Sequence, residues 1–361
     1  MTTLTITVGA IYALMTVTLL ANIWQLRRSR PREHPHARQP SLSVLIPARN
    51  EAGNLRRLLP SLLSQEYADF EVIVYDDGSE DATWEVLQGM PNPRLKTLRG
   101  SGPPAGWVGK VHALYRASLS ASGEALLFLD ADAALKDARA LARLVSRFDS
   151  LPRGSVLTGI THLRGGGRLL VSLVPFILLS QLPIALVPRT PFARLSGLNG
   201  QCWMIRRSDY ERLSPHRANR DEVLEDIRIG QYLKRHGVIP YMADLQNEVE
   251  VWMYRSVPEA WVGFRKNVYP FMGETPWSFL GQHALYLALF VAAPLLSPWF
   301  IACWYGLKTV SDRFVRCPIS VTLATPLSLG LGALLQLDSA ISHWTGRVRW
   351  KGRSVVRGAL R

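Results

Sequence analysis

The chain has 361 residues and a formal net charge of +14, enough length for one large or two modest domains. Its three cysteines, Cys202, Cys303 and Cys317, form no Cys-x-x-Cys pair and no framework. That excludes a disulfide scaffold and suits a reducing compartment. The positive charge is clustered beside apolar runs, so attraction to anionic lipid accounts for it better than a nucleic-acid partner does.

Met1 to Trp24 carries no charged side chain and is long enough to span a bilayer. Arg27, Arg28, Arg30, Arg32 and Arg38 follow at once. A cleaved signal peptide has the opposite order. The expectation is an uncleaved anchor over residues 1–25, with the N-terminus outside and Arg27 onward in the cytoplasm.

From Ser41 the pattern alternates. Leu42 to Ile46 reads as a buried strand and Asn54 to Gln65 as a helix with Leu55, Leu58, Leu59, Leu62 and Leu63 on one face. Pro60 inside it should cost stability or bend it. Phe70 to Tyr75 is the next strand. Asp81 to Gln88 is a short helix with Ser79 or Asp81 as N-cap. Leu95 to Leu98, Val111 to Ala121 and Ala125 to Leu129 continue the strand-helix-strand order. This predicts an α/β domain with a mostly parallel sheet covered by helices. Ligands of such sheets bind beyond the carboxyl ends of the strands. Three polar clusters follow strands at that end: Pro47-Ala48-Arg49-Asn50-Glu51, Asp76-Asp77-Gly78-Ser79 and Asp130-Ala131-Asp132. Residues i and i+2 of a strand point the same way, so Asp130 and Asp132 leave together. Paired carboxylates suit a hard cation, Mg²⁺ or Mn²⁺, that bridges to phosphate. Neither G-x-G-x-x-G nor a P-loop is present.

Glu225-Asp226 opens a helix that runs to about His236, stopped by Gly237. Adjacent helical residues diverge by about 100°, so only one of the two acids should face a site. Further apolar zones run from Phe279 to Leu307 and from Pro318 to Ile341, followed by the basic run Arg347 to Arg353. Two crossings within residues 278–343 are the simplest count, although Pro294 and Pro298 could split the first zone into a hairpin. The basic tail, residues 344–361, reads as cytoplasmic. His112, His162 and His216 show no metal spacing and receive no role.

The ordered motifs ending in Glu225-Asp226 resemble those of family 2 glycosyltransferases with the nucleotide-sugar-binding A-type fold, over roughly Ser41 to Pro270. Gly106-Trp107-Val108-Gly109-Lys110, Met253-Tyr254-Arg255, Gly263-Phe264-Arg265-Lys266-Asn267 and Trp350-Lys351-Gly352-Arg353 are similar to membrane-bound carotenoid (diaponeurosporenoate-type) and hopene-associated glycosyltransferases. The Q/R-x-x-R-W signature of processive enzymes is not matched, because Phe264-Arg265-Lys266-Asn267 stands there.

The resemblance implies a UDP-sugar donor, a membrane lipid acceptor and a cytoplasmic domain over residues 41–275 of a multi-pass protein in the cell (inner) membrane. It implies that Glu51 and Asp76 or Asp77 hold uracil and ribose, that Asp130 faces ribose or sugar, and that Asp132 ligates the metal. Lys110 would meet the diphosphate, and Lys266 could grip phosphate. Asp226 would be the base, kept ionised by its helix N-terminus. Helix capping by Asn50 or Asp77, and a surface position for Lys110, are the plainer readings. Trp252, Trp261 and Tyr269, near Arg255 and Asn267, would line the acceptor's path or form an interfacial belt. Leu169 to Val187 is apolar, yet a single crossing would separate Asp130 from Asp226. It is therefore expected to be an interfacial helix or a re-entrant hairpin. Two other classes fit these residues less well. A nucleotidyltransferase should carry a Gly-rich basic loop after the first strand, which is absent. A non-catalytic scaffold does not need intact acids at Asp130, Asp132 and Asp226.

Overall fold

A computed structural model of the chain describes residues 3–28, 39–273, 275–350 and 353–354. Arg30, Arg32 and Arg38 of the first basic cluster, and Lys351 and Gly352 of the tail, lie outside the described residues.

After α1 (Thr3–Arg28), the chain forms β1 (Leu42–Ala48), α2 (Ala52–Leu63), β2 (Phe70–Asp77), α3 (Thr83–Gln88), β3 (Leu95–Gly100), α4 (Gly109–Ser118) and β4 (Ala125–Leu129). Next come β5 (Ala133–Leu135), α5 (Ala140–Asp149), β6 (Ser155–Ile160), β7 (His162–Gly165), α6 (Arg168–Val171) and α7 (Leu173–Gln181). Then β8 (Cys202–Arg206), α8 (Arg207–Leu213), α9 (Pro215–Ala218), α10 (Glu225–Arg235), β9 (Ile239–Asp244), β10 (Val249–Tyr254) and α11 (Val257–Phe271) complete this part.

Seven strands form one sheet in the order β3-β2-β1-β4-β8-β6-β9. It is mixed: β8 runs antiparallel to both β4 and β6, and the other pairings are parallel. Strand alternation sends successive side chains to opposite faces, and both faces are apolar. Val44, Ile46, Val74 and Leu127 meet Leu55, Leu58, Leu62 and Leu144 of α2 and α5. Leu45, Ile73 and Phe128 meet Leu114, Ala117, Ile229 and Leu233 of α4 and α10. α2 continues through Pro60. That residue is exposed, so the helix bond it cannot donate is lost on the wet side. A second sheet has the order β5-β10-β7, and its strand β5 begins at the residue after Asp132.

The remaining chain is helical: α12 (Pro276–Leu287), a π-helical turn (Ala288–Ala292), α13 (Ala293–Leu296), α14 (Pro298–Phe314), α15 (Ile319–Leu323) and α16 (Thr325–Trp344). Among the described residues, Thr5–Arg28 and Pro276–Leu295 are long and apolar enough to cross a membrane, by length and composition. On α1, Val8, Tyr12, Met15, Leu19, Ile23 and Leu26 form one buried stripe, while Leu14, Val17, Leu20 and Trp24 on the other sides remain exposed. A helix apolar all round belongs in a protein core or in lipid. The first C-terminal zone breaks at Ser297, whose hydroxyl caps α14. Tyr12 donates to the Leu289 carbonyl and stacks on Phe300, which brings the end of one helix and the start of the next to the same end of α1. α16 packs on α11 through Asp338, which accepts from Trp261 Nε1 (2.6 Å) and Arg265 Nε (2.7 Å).

Residues 169–187 do not form one straight helix. They break into α6, α7 and a 3-10 turn at Ile184–Leu186. Asn22 of α1 holds the turn. It donates to the Leu179 and Leu182 carbonyls and accepts the Ile184 N–H (2.8, 2.7 and 2.9 Å).

Candidate active site

The parallel register of β1, β2 and β4 brings their three polar loops to one edge of the sheet. The first two loops are clamped together. Asn50, at φ +53°, donates its N–H to Ser79 Oγ and accepts the Glu80 N–H, both at 2.9 Å. Arg49 donates to the carbonyls of Asp77 and Gly78 (3.2 and 3.3 Å). The start of α2 is served from across the gap: Thr83 Oγ1 accepts the Glu51 N–H and Asp81 Oδ2 the Ala52 N–H. Asp81 also accepts the Thr83 N–H at the head of α3. Glu51 and Asp77 are thus not needed as helix caps, and both line the cavity at this edge.

Asp76 does not. It is fully buried, and its Oδ1 accepts the Ser79 N–H (3.0 Å) and hydroxyl (2.5 Å). The two acids that the sequence left interchangeable therefore separate: Asp76 builds the turn and Asp77 faces the cavity.

Lys110 is the second residue of α4 and lies at the centre of the site. Its Nζ is 2.8 Å from Asp130 Oδ1, 2.9 Å from Oδ2, 3.2 Å from Glu225 Oε1 and 3.4 Å from the Gly200 carbonyl. Burial alone would lower its pKa, but the Asp130 and Glu225 carboxylates outweigh burial and push it up. Lys110 is therefore a charge-paired residue and not a free surface lysine.

Asp226 Oδ2 accepts the Gly200 N–H (3.2 Å) and Oδ1 accepts the Ile227 N–H (2.8 Å). Glu225 and Asp226 both face the Lys110–Gly200 corner, contrary to the expectation that only one would. Glu225 is the first residue of α10, and its longer side chain reaches back to Lys110. The helix terminus also does not keep Asp226 strongly acidic. Burial first, then the Glu225 charge, push its pKa up to about 6, against the opposing pull of Lys110 and the two N–H groups. Removing that neighbouring charge in Glu225→Gln is expected to move the acid limb of the kcat–pH profile to lower pH. An unmoved limb would remove Asp226 as its source.

Asp132 lines the same cavity. Its carbonyl accepts from Arg57 (3.4 Å) and from the Trp252 N–H (2.9 Å), and the Arg57 guanidinium lies over the Trp252 ring at 4.9 Å. Among the described residues no three His, Cys, Asp or Glu side chains converge as a complete metal cage. An Asp-x-Asp pair without a cage fits Mg²⁺ or Mn²⁺, which keep waters and share phosphate oxygens with one or two carboxylates.

Arg255, Lys266, Asn267 and Trp252 line the cavity. Trp261 donates its indole N–H to Asp338, and the Tyr269 backbone N–H donates to Ser339 Oγ, both on α16. Of the histidines, His216 is buried against Tyr210 (2.8 Å), and burial pushes its pKa down to about 3.

Two features escaped sequence reasoning. Arg57 packs beside Asp132, and the loop Gly197-Leu198-Asn199-Gly200-Gln201 lines the site. The paired glycines of that loop were the available signal. A Cβ at Gly200 would lie 3.1 Å from Asp226 Oδ2 and 3.2 Å from Lys110 Nζ.

The cavity, about 2150 Å³, does not end at the acids. It continues between Ile11 and Met15 of α1, Leu173 and Ile177 of α7, and Leu285, Tyr286 and Leu289 around α12.

Residues 43–214 match the profile of Glycosyl transferase family 2. The chain carries a family 2 glycosyltransferase domain. A 4,4'-diaponeurosporenoate glycosyltransferase of Staphylococcus haemolyticus is 28% identical over 204 residues, 54% of this chain and 52% of that protein. A namesake from Staphylococcus aureus is 32% identical over 108 residues, 30% of this chain and 28% of that protein. The chain spans about half the length of the first relative and less of the second. A mannosyltransferase of Pyrobaculum calidifontis, solved in complex with GDP-Man and Mn²⁺, superimposes with a TM-score of 0.55 at 19% identity. That match covers 94% of this chain and 98% of the other. The fold of the glycosyltransferase domain is the nucleotide-sugar-binding A-type.

Proposed function

We propose that the protein is a membrane-bound inverting glycosyltransferase that moves a hexose from a UDP-sugar to a lipid, a carotenoid in first place. The observation that carries this reading is the single cavity whose acid-lined end at Lys110, Asp130, Asp132 and Asp226 runs into an apolar end between α1, α7 and α12. The polar end suits a nucleotide diphosphate, and the apolar end suits a long hydrocarbon beside the transferred group. The carotenoid class comes from the names of the staphylococcal relatives. Hopanoids and other glycolipids share the same chemistry and are the second choice.

In this reading Glu51 and Asp77 accept hydrogen bonds from the base and ribose. Asp130 faces the ribose or sugar, and Lys110 and Lys266 meet phosphate. A divalent cation held at Asp132 would offset charge on the departing diphosphate. Asp226 takes the proton from the acceptor hydroxyl as it attacks the anomeric carbon in line, with inversion. The preference for a hydroxyl over a carboxylate acceptor rests on Asp226, because an ionised carboxylate needs no base. Lipid extracts of a carotenoid-producing host, with and without the gene, are expected to differ by a hexosylated carotenoid when compared by mass. A product confined to hopanoids would change the acceptor, and no new glycolipid at all would overturn the reading.

The proposed topology has three crossings, with residues 41–270 and the basic tail both cytoplasmic. The break at Ser297 and the placing of Leu289 and Phe300 together beside Tyr12 favour α14 as the third crossing. Single cysteines placed near Asp81 and at Lys351 should be labelled from the same side of sealed vesicles. Labelling from opposite sides would rule this topology out.

A further inference from the structure

Leu170, Val171, Phe176 and Leu179 of α6 and α7 are buried in one core with Leu19 and Ile23 of α1 and Trp304 of α14. The loop beyond them turns outward. Leu186, Arg189, Phe192 and Arg194 are exposed, Phe192 by 64%. Leu186 and Arg194 line the cavity, whereas Arg189 and Phe192 do not. The loop is thus a lip of the cavity with an inner and an outer side. Its backbone is held at both ends. Lys234 of α10, itself buried, donates to the carbonyls of Val187 (2.5 Å) and Phe192 (3.1 Å). Asn22 of α1 accepts the N–H of Ile184, at the turn that leads into the lip.

Two observations say what covers the outer side. The first is charge. No Asp or Glu occurs between Asp149 and Asp209, and among the described residues neither Arg189 nor Arg194 meets a carboxylate. An exposed phenylalanine flanked by unopposed arginines suits the boundary between anionic headgroups and acyl chains. The second is position. Asn22 lies five residues before Arg27, roughly 8 Å along the helix axis. The turn it holds is therefore close to the level where α1 passes from apolar to basic. We infer that residues 186–194 are a membrane-docked lip through which the lipid acceptor enters. Phe192 sits in the leaflet, Arg189 and Arg194 meet lipid phosphate, and the acceptor passes over Leu186 into the cavity. The inference rests on the membrane-bound reading above and deepens it, because it says where the lipid comes in. A long hydrocarbon that leaves the leaflet here never exposes its chain to water, which is the costly alternative.

The test is spin labelling of the full-length protein in vesicles of phosphatidylcholine with phosphatidylglycerol. Cys303 and Cys317 are replaced by alanine, and Cys202 is buried. Single labels are then attached through Phe192→Cys, Val17→Cys and Leu119→Cys. Val17 is exposed on α1 away from the cavity, and Leu119 is exposed at the end of α4 opposite Lys110. The label at residue 192 is expected to meet dioxygen more readily than a water-soluble nickel chelate, as at residue 17, with the reverse at residue 119. A label at 192 as open to the chelate as that at 119 would overturn the proposal, whatever the activity. A label at 17 equally open to the chelate is a different result: it would remove the membrane-bound reading itself. Turnover in the same vesicles gives a second measure. Phe192→Asp should raise the KM for the lipid acceptor about tenfold or more, the factor that burying a phenylalanine is worth, and leave UDP affinity unchanged. An unchanged acceptor KM in the folded variant would overturn the entry route. Arg189→Gln should lose the gain in acceptor kcat/KM that phosphatidylglycerol gives wild type. No gain in wild type, or the same gain in the variant, would overturn the phosphate contact.

Discussion

Asp226→Asn is expected to lower kcat on a hydroxylated carotenoid by about 10² to 10⁴-fold, the usual contribution of a positioned base, with little change in donor binding. Asparagine preserves the size of the side chain, but its amide nitrogen cannot accept the Gly200 or Ile227 N–H and the group takes up no proton. The wild-type pH profile carries the same information. A base must be ionised, so kcat should rise with pH through about 6, where burial and Glu225 place the Asp226 carboxyl, and then level off. That limb should vanish in the variant. The sign for stability is the reverse. A carboxyl raised above its unfolded value holds its proton more tightly in the folded state, so folding loses stability as pH rises from about 4 to about 6. A carotenoid acid distinguishes the base from a mere contact, since it is already ionised near neutral pH. Equal turnover of the alcohol by wild type and variant would end the base assignment. Exclusive use of the acid by wild type would end the hydroxyl assignment.

Much of this site was legible because its residues follow short apolar strands. Leu42 to Ile46, Phe70 to Tyr75 and Ala125 to Leu129 could hardly be anything else, and parallel packing then forces their loops to one edge. What the sequence could not resolve depended on side-chain direction or long-range pairing. Asp76 and Asp77 are told apart only by the Ser79 turn, which draws Asp76 inward. Glu225 joins the site because Lys110 is there to receive it. The small β5-β10-β7 sheet pairs brief segments far apart in the chain, and no local pattern announces it. In the C-terminal region, Lys308 and Asp312 look like the edge of an apolar zone. They are fully buried as a pair at 2.5 Å that also engages Ser172 and Thr322. Charges satisfied by one another let α14 pack against α7 where hydropathy alone suggested an end.

Asp132→Asn is the second substitution with a large expected effect. As the outer member of the strand-end pair, Asp132 lines the cavity beside Arg57, whereas Lys110 is paired with Asp130 and Glu225. In the proposed function its carboxylate holds the cation. Its backbone carbonyl, which holds Arg57 and Trp252, is unchanged by the substitution, so the fold around it should survive. Stabilisation of a leaving diphosphate by a metal is worth several kcal/mol, and each 1.36 kcal/mol is a factor of ten in rate. Turnover should fall by about 10³-fold or more, and the response of the residual activity to added Mn²⁺ should flatten. Thermal unfolding without metal should stay close to wild type, whereas the stabilisation that Mn²⁺ with UDP gives wild type should be lost, as linkage requires when a ligand no longer binds the native state. Full activity of the purified variant in Mn²⁺, or an undiminished Mn²⁺-dependent rise in Tm, would move the metal away from Asp132.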